Sequence, residues 1–323
     1  MGEEMLKKTA WTDAALIGSK LRTGRHLVAL LGFTALVSLV FNVFVFVSNG
    51  DASHATHVSA DAFQGTPPTE QPRLVYKEKK PQLDAIPHVI HQSWKCHNVP
   101  FELFKDWHES WLQHNPSFTY ILWNDTQNEH LIRTHYPWFL PKYLSYDRMI
   151  TRADAARVFY MHKYGGIYAD LDVVALKSLE PLLQGRDLVL GRMQVPGPES
   201  WEHAHSIPNA WMASKPGHSF WMYAADLMMQ GDAQGTEEKA GPVMIWNAVR
   251  KYMENPDASQ LDDLYLADPE LIYPYSWSFA MTDESVHQVC SKKRDSFNEK
   301  ACLELVDPQK KAYAISFWSH TWD

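Results

Sequence analysis

Cysteine is scarce in this chain, with three in 323 residues. That excludes a disulfide framework and any zinc site built from four thiolates. Basic charge is also in deficit: 30 Lys and Arg stand against 38 Asp and Glu, a formal net charge of −8. No basic surface therefore recommends nucleic acid as a partner. No internal repeat is present, and Gly and Pro stay well below the levels of collagen or low-complexity chains. What the chain does have is apolar matter, 45% hydrophobic and 13% aromatic, which is enough to build a core and excludes a disordered tail. The length suits one sizeable domain with appendages.

The apolar matter is unevenly spread. Residues 27–47, LVALLGFTALVSLVFNVFVFV, contain no charged side chain, and Asn42 is the one strongly polar residue in the run. A helix of that length rises about 31 Å, enough to cross the hydrocarbon core of a bilayer. It lacks the polar face of a core helix and the small-residue cleavage site of a secretory signal. Lys7, Lys8, Lys20, Arg22 and Arg25 precede it, and the next Lys or Arg is Arg73. The positive-inside rule then keeps residues 1–26 in the cytoplasm and the rest in a lumen or outside the cell, a single-pass type II topology. Residues 48–84 carry Pro67, Pro68, Pro72 and Pro81 without helical or strand period and read as a stem. The folded unit is expected over 85–323. In an oxidising lumen Cys290 and Cys302 are able to pair across a short loop, leaving Cys96.

Within the folded unit, residues 86–94 and 118–123 read as strands and 101–114 as a helix, a βαβ order that implies a mostly parallel sheet. Residues 151–164 form a helix rich in Ala, Arg and Met, ended by Gly165-Gly166. A strand over 167–176 follows. Strand alternation then projects Asp170 and Asp172 from one face, where two carboxylates repel unless a cation or a shared proton relieves them. A hard divalent ion, Mn²⁺ or Mg²⁺, does so and keeps positions open for phosphate oxygens. On the helix, Asp154 and Arg157 share a face by their i, i+3 spacing. A pairing that only laces the helix to its neighbours is the plain alternative.

These blocks resemble glycosyltransferase family 32, the group with a DXD sugar-binding region that includes fungal Golgi mannosyltransferases. The matching pieces are IPHVIHQSWK (86–95), YILWND (120–125), TRADAARVFYMHKYGGIYADLDV (151–173), NAWMASKPGHSFW (209–221), AGP (240–242) and FWSHTW (317–322). The resemblance implies a GT-A fold, an α/β Rossmann-like domain binding a nucleotide sugar at the C-terminal edge of its sheet, in a type II Golgi membrane enzyme. It implies that Asp170 and Asp172 hold the metal and, through it, the donor diphosphate. Asp154 is then assigned to the ribose or sugar, with Arg157 beside it and Tyr168 among the donor-binding residues. Gln92 and Trp94 are placed against the nucleotide, and Asn209 with Gly241-Pro242 at the sugar and acceptor pocket. Many members end in H-H-W-x-x-S-W, whose first His is a metal ligand candidate. Here Ser316 stands at that position, which leaves Ser316 or His320 for the role, with imidazole the better ligand for Mn²⁺.

The implied reaction is metal-dependent, retaining transfer of a glycosyl group from a nucleotide sugar to a hydroxyl. GDP-mannose is the favoured donor, with UDP-galactose or UDP-N-acetylglucosamine as alternatives. The acceptor is a glycan or a glycosphingolipid such as an inositol phosphoceramide. Other classes stay in view: a non-catalytic lectin-like or scaffold protein, a metal phosphodiesterase, and a two-carboxylate glycosidase, whose acid and base need wider separation than Asp170 and Asp172 offer. Asn124-Asp125-Thr126 is a formal glycosylation sequon, placed where a glycan would obstruct the nucleotide.

Overall fold

A computed structural model of the chain describes residues 85–96, 99, 101–195, 204–254, 264–278 and 283–319. All belong to one compact unit, Gln71–Asp323. The expected anchor and stem, and His320, lie outside the described residues. Among those described, no helix is long and apolar enough to cross a membrane.

In chain order the elements are β1 (Val89–Ser93), α1 (Phe101–His114), β2 (Thr119–Trp123), α2 (Asp125–His135), α3 (Leu140–Ser145), α4 (Met149–Tyr164), β3 (Gly166–Ala169), β4 (Val173–Ala175), α5 (Glu180–Leu183) and β5 (Leu188–Gly191). They continue with β6 (Trp211–Ser214), α6 (Ser219–Gln230), α7 (Thr236–Lys239), α8 (Pro242–Glu254), β7 (Leu264–Ala267), α9 (Pro269–Ile272), α10 (Glu284–Cys290), α11 (Glu299–Val306) and β8 (Ala314–Ser316). Six strands form one sheet in the order β2-β1-β3-β6-β5-β7. β1 is parallel to β2 and β3, β6 runs antiparallel to β3 and β5, and β7 is parallel to β5. The expected βαβ unit is therefore present, inside a mixed sheet.

Strand alternation divides the core between the two faces of this sheet. Ile167, Ala169, Val189, Trp211 and Ala213 point to the face covered by α1, where Phe104, Trp107 and Trp111 pack. Tyr168, Leu188, Leu190 and Met212 point to the other, against α4, α6 and α8. α4 lies so deep that residues on all its sides are buried, which explains its lack of a polar face. It stops where the two glycines require it. Gly165 and Gly166 have φ of +62° and +89°, and a Cβ on Gly166 would sit 2.5 Å from the Val89 carbonyl oxygen. The second glycine thus lets β3 enter the sheet against β1.

One expected element is corrected. The strand placed over 167–176 is broken: β3 ends at Ala169, and the Val173 amide closes a turn on the Asp170 carbonyl at 3.0 Å. β4 then leaves the main sheet and pairs antiparallel with β8, Val173 opposite Ser316. Asp170 and Asp172 therefore do not share a strand face; a turn at the sheet edge brings them together. Aspartate disfavours strands and favours such turns, and that local preference outweighs the apolar pattern around it. Cys290 and Cys302 are disulfide-bonded, joining α10 to α11. Trp211, Met212, Trp221 and Met228 fill the core.

Candidate functional site

A cavity of about 750 Å³ opens at the carboxyl ends of β1 and β3, within the range of small-molecule sites. β6 runs the other way, so its leading residues Asn209 and Ala210 reach the same edge, and the Asp170 amide donates to the Ala210 carbonyl at 2.8 Å. The residues converging here come from distant parts of the chain because the parallel strands end together.

Arg157 is the hub. Its guanidinium pairs with Asp154 Oδ1 at 2.9 Å and Asp170 Oδ1 at 3.1 Å, donates to the Asn209 carbonyl at 2.9 Å, and lies 4.5 Å from the Tyr168 ring centroid. Burial opposes its charge, but Asp170, Tyr168 and Asp154 more than offset this and raise its pKa. A planar fork with several donors suits such a junction, where a lysine would not. Asp154 also accepts from Asn209 Nδ2 at 2.9 Å. Burial raises its pKa to about 6, Arg157 pulling it down and Asp170 pushing it up. Tyr168 donates its hydroxyl to Asp170 Oδ1 at 2.7 Å. The sequence-derived grouping of Asp154, Arg157, Tyr168, Asp170 and Asn209 is thus one hydrogen-bonded network.

Asp172 is held separately. Its Oδ2 accepts from both the amide and the hydroxyl of Ser319, at 2.8 and 2.9 Å. Burial and repulsion from Asp170 lift its pKa to about 6, against the pull of those two bonds. Ser319 carried no signal in the sequence beyond lying in the C-terminal block. Ser316 is fully buried in β8 and is not among the residues lining the cavity; its hydroxyl accepts from the Trp318 amide at 3.2 Å.

Other assignments are redrawn. Gln92 is not in the cavity wall. It is fully buried, donates to the Asp170 carbonyl at 3.1 Å and accepts from the Tyr120 hydroxyl at 2.8 Å, so it braces the acidic turn from behind. Trp94, Asn209 and Pro242 do line the cavity, as placed. Gly241 does not; it lies under Asp154, where a Cβ would stand 3.2 Å from Oδ2 and 2.8 Å from the Glu237 Cα. The sequence did not reveal the opposite wall, where His205 meets Glu237 at 2.9 Å and packs edge-on to Trp277. These residues lie outside the recognisable blocks, and no spacing announces them. The Asn124 side chain of the sequon is buried and accepts from the Gln127 amide as the N-cap of α2.

The donor set fits a divalent cation. Two hard carboxylates meet at one turn, their charges oppose one another, and each has one oxygen committed to protein donors. The Tyr168 and Arg157 contacts fall on Asp170 Oδ1, and both Ser319 hydrogen bonds fall on Asp172 Oδ2. Among the described residues no third acidic, histidine or cysteine ligand joins them.

A family model, the glycosyltransferase sugar-binding region containing a DXD motif, matches residues 102–189. The chain is 35% identical over 199 residues to inositol phosphoceramide mannosyltransferase 3 of Schizosaccharomyces pombe, covering 59% of this chain and 52% of that protein. It is 37% identical over 147 residues to the mannosyl phosphorylinositol ceramide synthase CSH1 of Saccharomyces cerevisiae, covering 46% and 36%. The chain thus spans about half or less of these relatives. Among solved structures the PaToxG glycosyltransferase overlaps 55% of this chain and 71% of its own, at 18% identity and a TM-score of 0.40, a likeness too low to bear on the site. Residues 102–189 are thus similar to the DXD-containing glycosyltransferase sugar-binding region, and the chain is similar to fungal inositol phosphoceramide mannosyltransferases over part of their length.

Proposed function

We propose that the chain is a GT-A-type mannosyltransferase that moves mannose from GDP-mannose to a hydroxyl of a membrane glycosphingolipid of the inositol phosphoceramide class, with retention of configuration. The observation that carries this reading is the pair Asp170 and Asp172 at the carboxyl end of β3, one tied to Arg157 and the other to Ser319, facing a cavity of nucleotide-sugar size. The names of the relatives support mannose and the lipid acceptor. The apolar run 27–47 and the basic residues before it support an active domain in the Golgi lumen, anchored as a type II protein.

Asp170 and Asp172 would hold Mn²⁺ or Mg²⁺, which when bound neutralises charge on the departing diphosphate. The bond from the sugar's anomeric carbon to the diphosphate oxygen breaks, and one to the acceptor oxygen forms. The acceptor proton goes to the departing phosphate. In this reading Asp154 and Asn209 accept and donate hydrogen bonds at the sugar hydroxyls. Arg157 fixes Asp154 and Asp170 by pairing with an oxygen of each, and Trp94 offers its indole as a wall for the base. UDP-sugars remain the alternative donors.

Asp170→Asn and Asp172→Asn are each expected to abolish mannose transfer by the full chain while leaving its circular dichroism and the cooperativity of its unfolding intact. Full transfer by either variant at saturating Mn²⁺ would reject the metal assignment. Thermal stabilisation by UDP and not by GDP would overturn the mannose donor.

A further inference from the structure

The C-terminal strand does more than close the small sheet. After Ser316 the Phe317 amide donates to the Asp172 carbonyl at 3.3 Å, so the chain is already docked alongside the acidic turn. Trp318 then adopts φ of +48°. A bulky residue rarely takes this left-handed backbone, and it persists only where its surroundings determine it. Here they do. The Trp318 ring stacks on Tyr273 with centroids 5.4 Å apart, and its indole N–H donates to the Tyr275 carbonyl at 3.1 Å. The outcome of this elbow is the placement of Ser319, whose amide and hydroxyl both reach the same carboxylate oxygen of Asp172.

We infer that Ser319 is a positioning residue for the metal site, fixing Asp172 in one rotamer so that Oδ1 is the oxygen presented beside Asp170. Nothing in the sequence or in the likeness to known proteins assigns Ser319 a role. The inference rests on the reading of Asp170 and Asp172 as metal ligands. Two donors from one rigid residue remove the freedom of a side chain whose neighbours would otherwise repel it outward. The alternative is that Ser319 only satisfies a half-buried carboxylate. The two differ in one respect: a satisfied carboxylate leaves metal affinity unchanged when the hydroxyl is removed and the backbone N–H is kept.

The test titrates the full chain in detergent with Mn²⁺, in the presence of GDP, reading free Mn²⁺ by electron paramagnetic resonance. Ser319→Ala is expected to weaken Mn²⁺ binding about 10- to 100-fold, as loss of partners behind metal ligands commonly does. Ser319→Thr, which keeps the hydroxyl, is expected to bind as the unaltered chain does. Should the alanine variant fail to fold, Ser319→Cys supplies a near-isosteric side chain with a weak donor and is expected to show the same direction of loss. Unchanged affinity in the alanine or cysteine variant overturns the inference, as does a threonine variant as weak as the alanine one. A chain that binds no Mn²⁺ before any substitution instead overturns the metal reading itself, and the two failures are thereby told apart.

Discussion

Asp172 shows at the scale of one side chain how function and stability oppose each other. Its pKa in the folded chain is about 6, above the ordinary carboxylate value of 3.8, chiefly through burial and then through Asp170. Between those values the folded state binds the proton more tightly than the unfolded state does. Stability therefore falls as pH rises from 4 through 6, and above 6 the charged side chain is a standing cost. Replacing it with Asn keeps an oxygen for Ser319 to donate to and removes the charge. Asp172→Asn is thus expected to stabilise the metal-free chain at pH 7 by roughly 1–3 kcal/mol, a gain that vanishes near pH 4. Urea unfolding at the two pH values in chelator checks this, and equal or lower stability of the variant at pH 7 would count against a strained carboxylate pair. Mn²⁺ at pH 7 is expected to stabilise the parent chain and not the variant. His91 runs the other way: burial lowers its pKa to about 4, so its contribution is full above pH 6.5 and is lost as pH falls toward 4. The pH profile of the parent chain combines both, and the comparison of Asp172→Asn with the parent isolates the first.

The elements around the site differ in how far the sequence discloses them. α1, α4 and the glycine pair after α4 were legible, because a long run of helix formers or an apolar stripe ended by Gly has few other readings. The sequence also supplied Asp154, Arg157 and Asp170 through their spacing, and Tyr168 and Asn209 through the resemblance to a known family. It did not disclose that β3 stops at Ala169. Asp170 and Asp172 interrupt the apolar residues of β3 and β4, but only the partner of β4 shows that the chain has changed sheets. That partner is β8, some 140 residues later in the chain, as is Ser319; contacts of such range leave no local period. The glycines permit an element-scale prediction. Gly166 and Gly185 both have positive φ, but a Cβ on Gly185 meets nothing within 4 Å while one on Gly166 meets the Val89 backbone. Gly185→Ala is expected to cost about 1 kcal/mol through backbone strain alone, and Gly166→Ala about 2–4 kcal/mol because β3 must also shift from β1. Denaturant midpoints measure the difference. Equal losses would mean that the β1–β3 approach is not what the glycine protects.

Across the whole molecule the net charge is negative, and the cavity follows it. Asp125, Asp154, Asp170, Asp172, Glu237 and Glu238 line it against Lys95, Arg148 and Arg157, and Arg157 is already engaged by two of the carboxylates. A nucleoside diphosphate entering this space meets six carboxylates with only Lys95 and Arg148 uncommitted to that buried network. Opposed unit charges near 4 Å interact by about 4 kcal/mol at the effective dielectric of a protein surface, so the two cations do not outweigh the acidic wall. The same arithmetic separates this cavity from basic nucleotide pockets, in which added salt is the main antagonist. GDP binding is therefore expected to depend on a divalent ion more than on ionic strength. Calorimetry should show GDP affinity falling at least about tenfold on replacing Mn²⁺ by chelator, a penalty of roughly 1.4 kcal/mol or more. The fall on raising monovalent salt from 50 to 200 mM is expected to be smaller. Equal affinity in chelator would show that Lys95 and Arg148 suffice to hold the diphosphate, and Asp170 and Asp172 would then need another purpose than a cation.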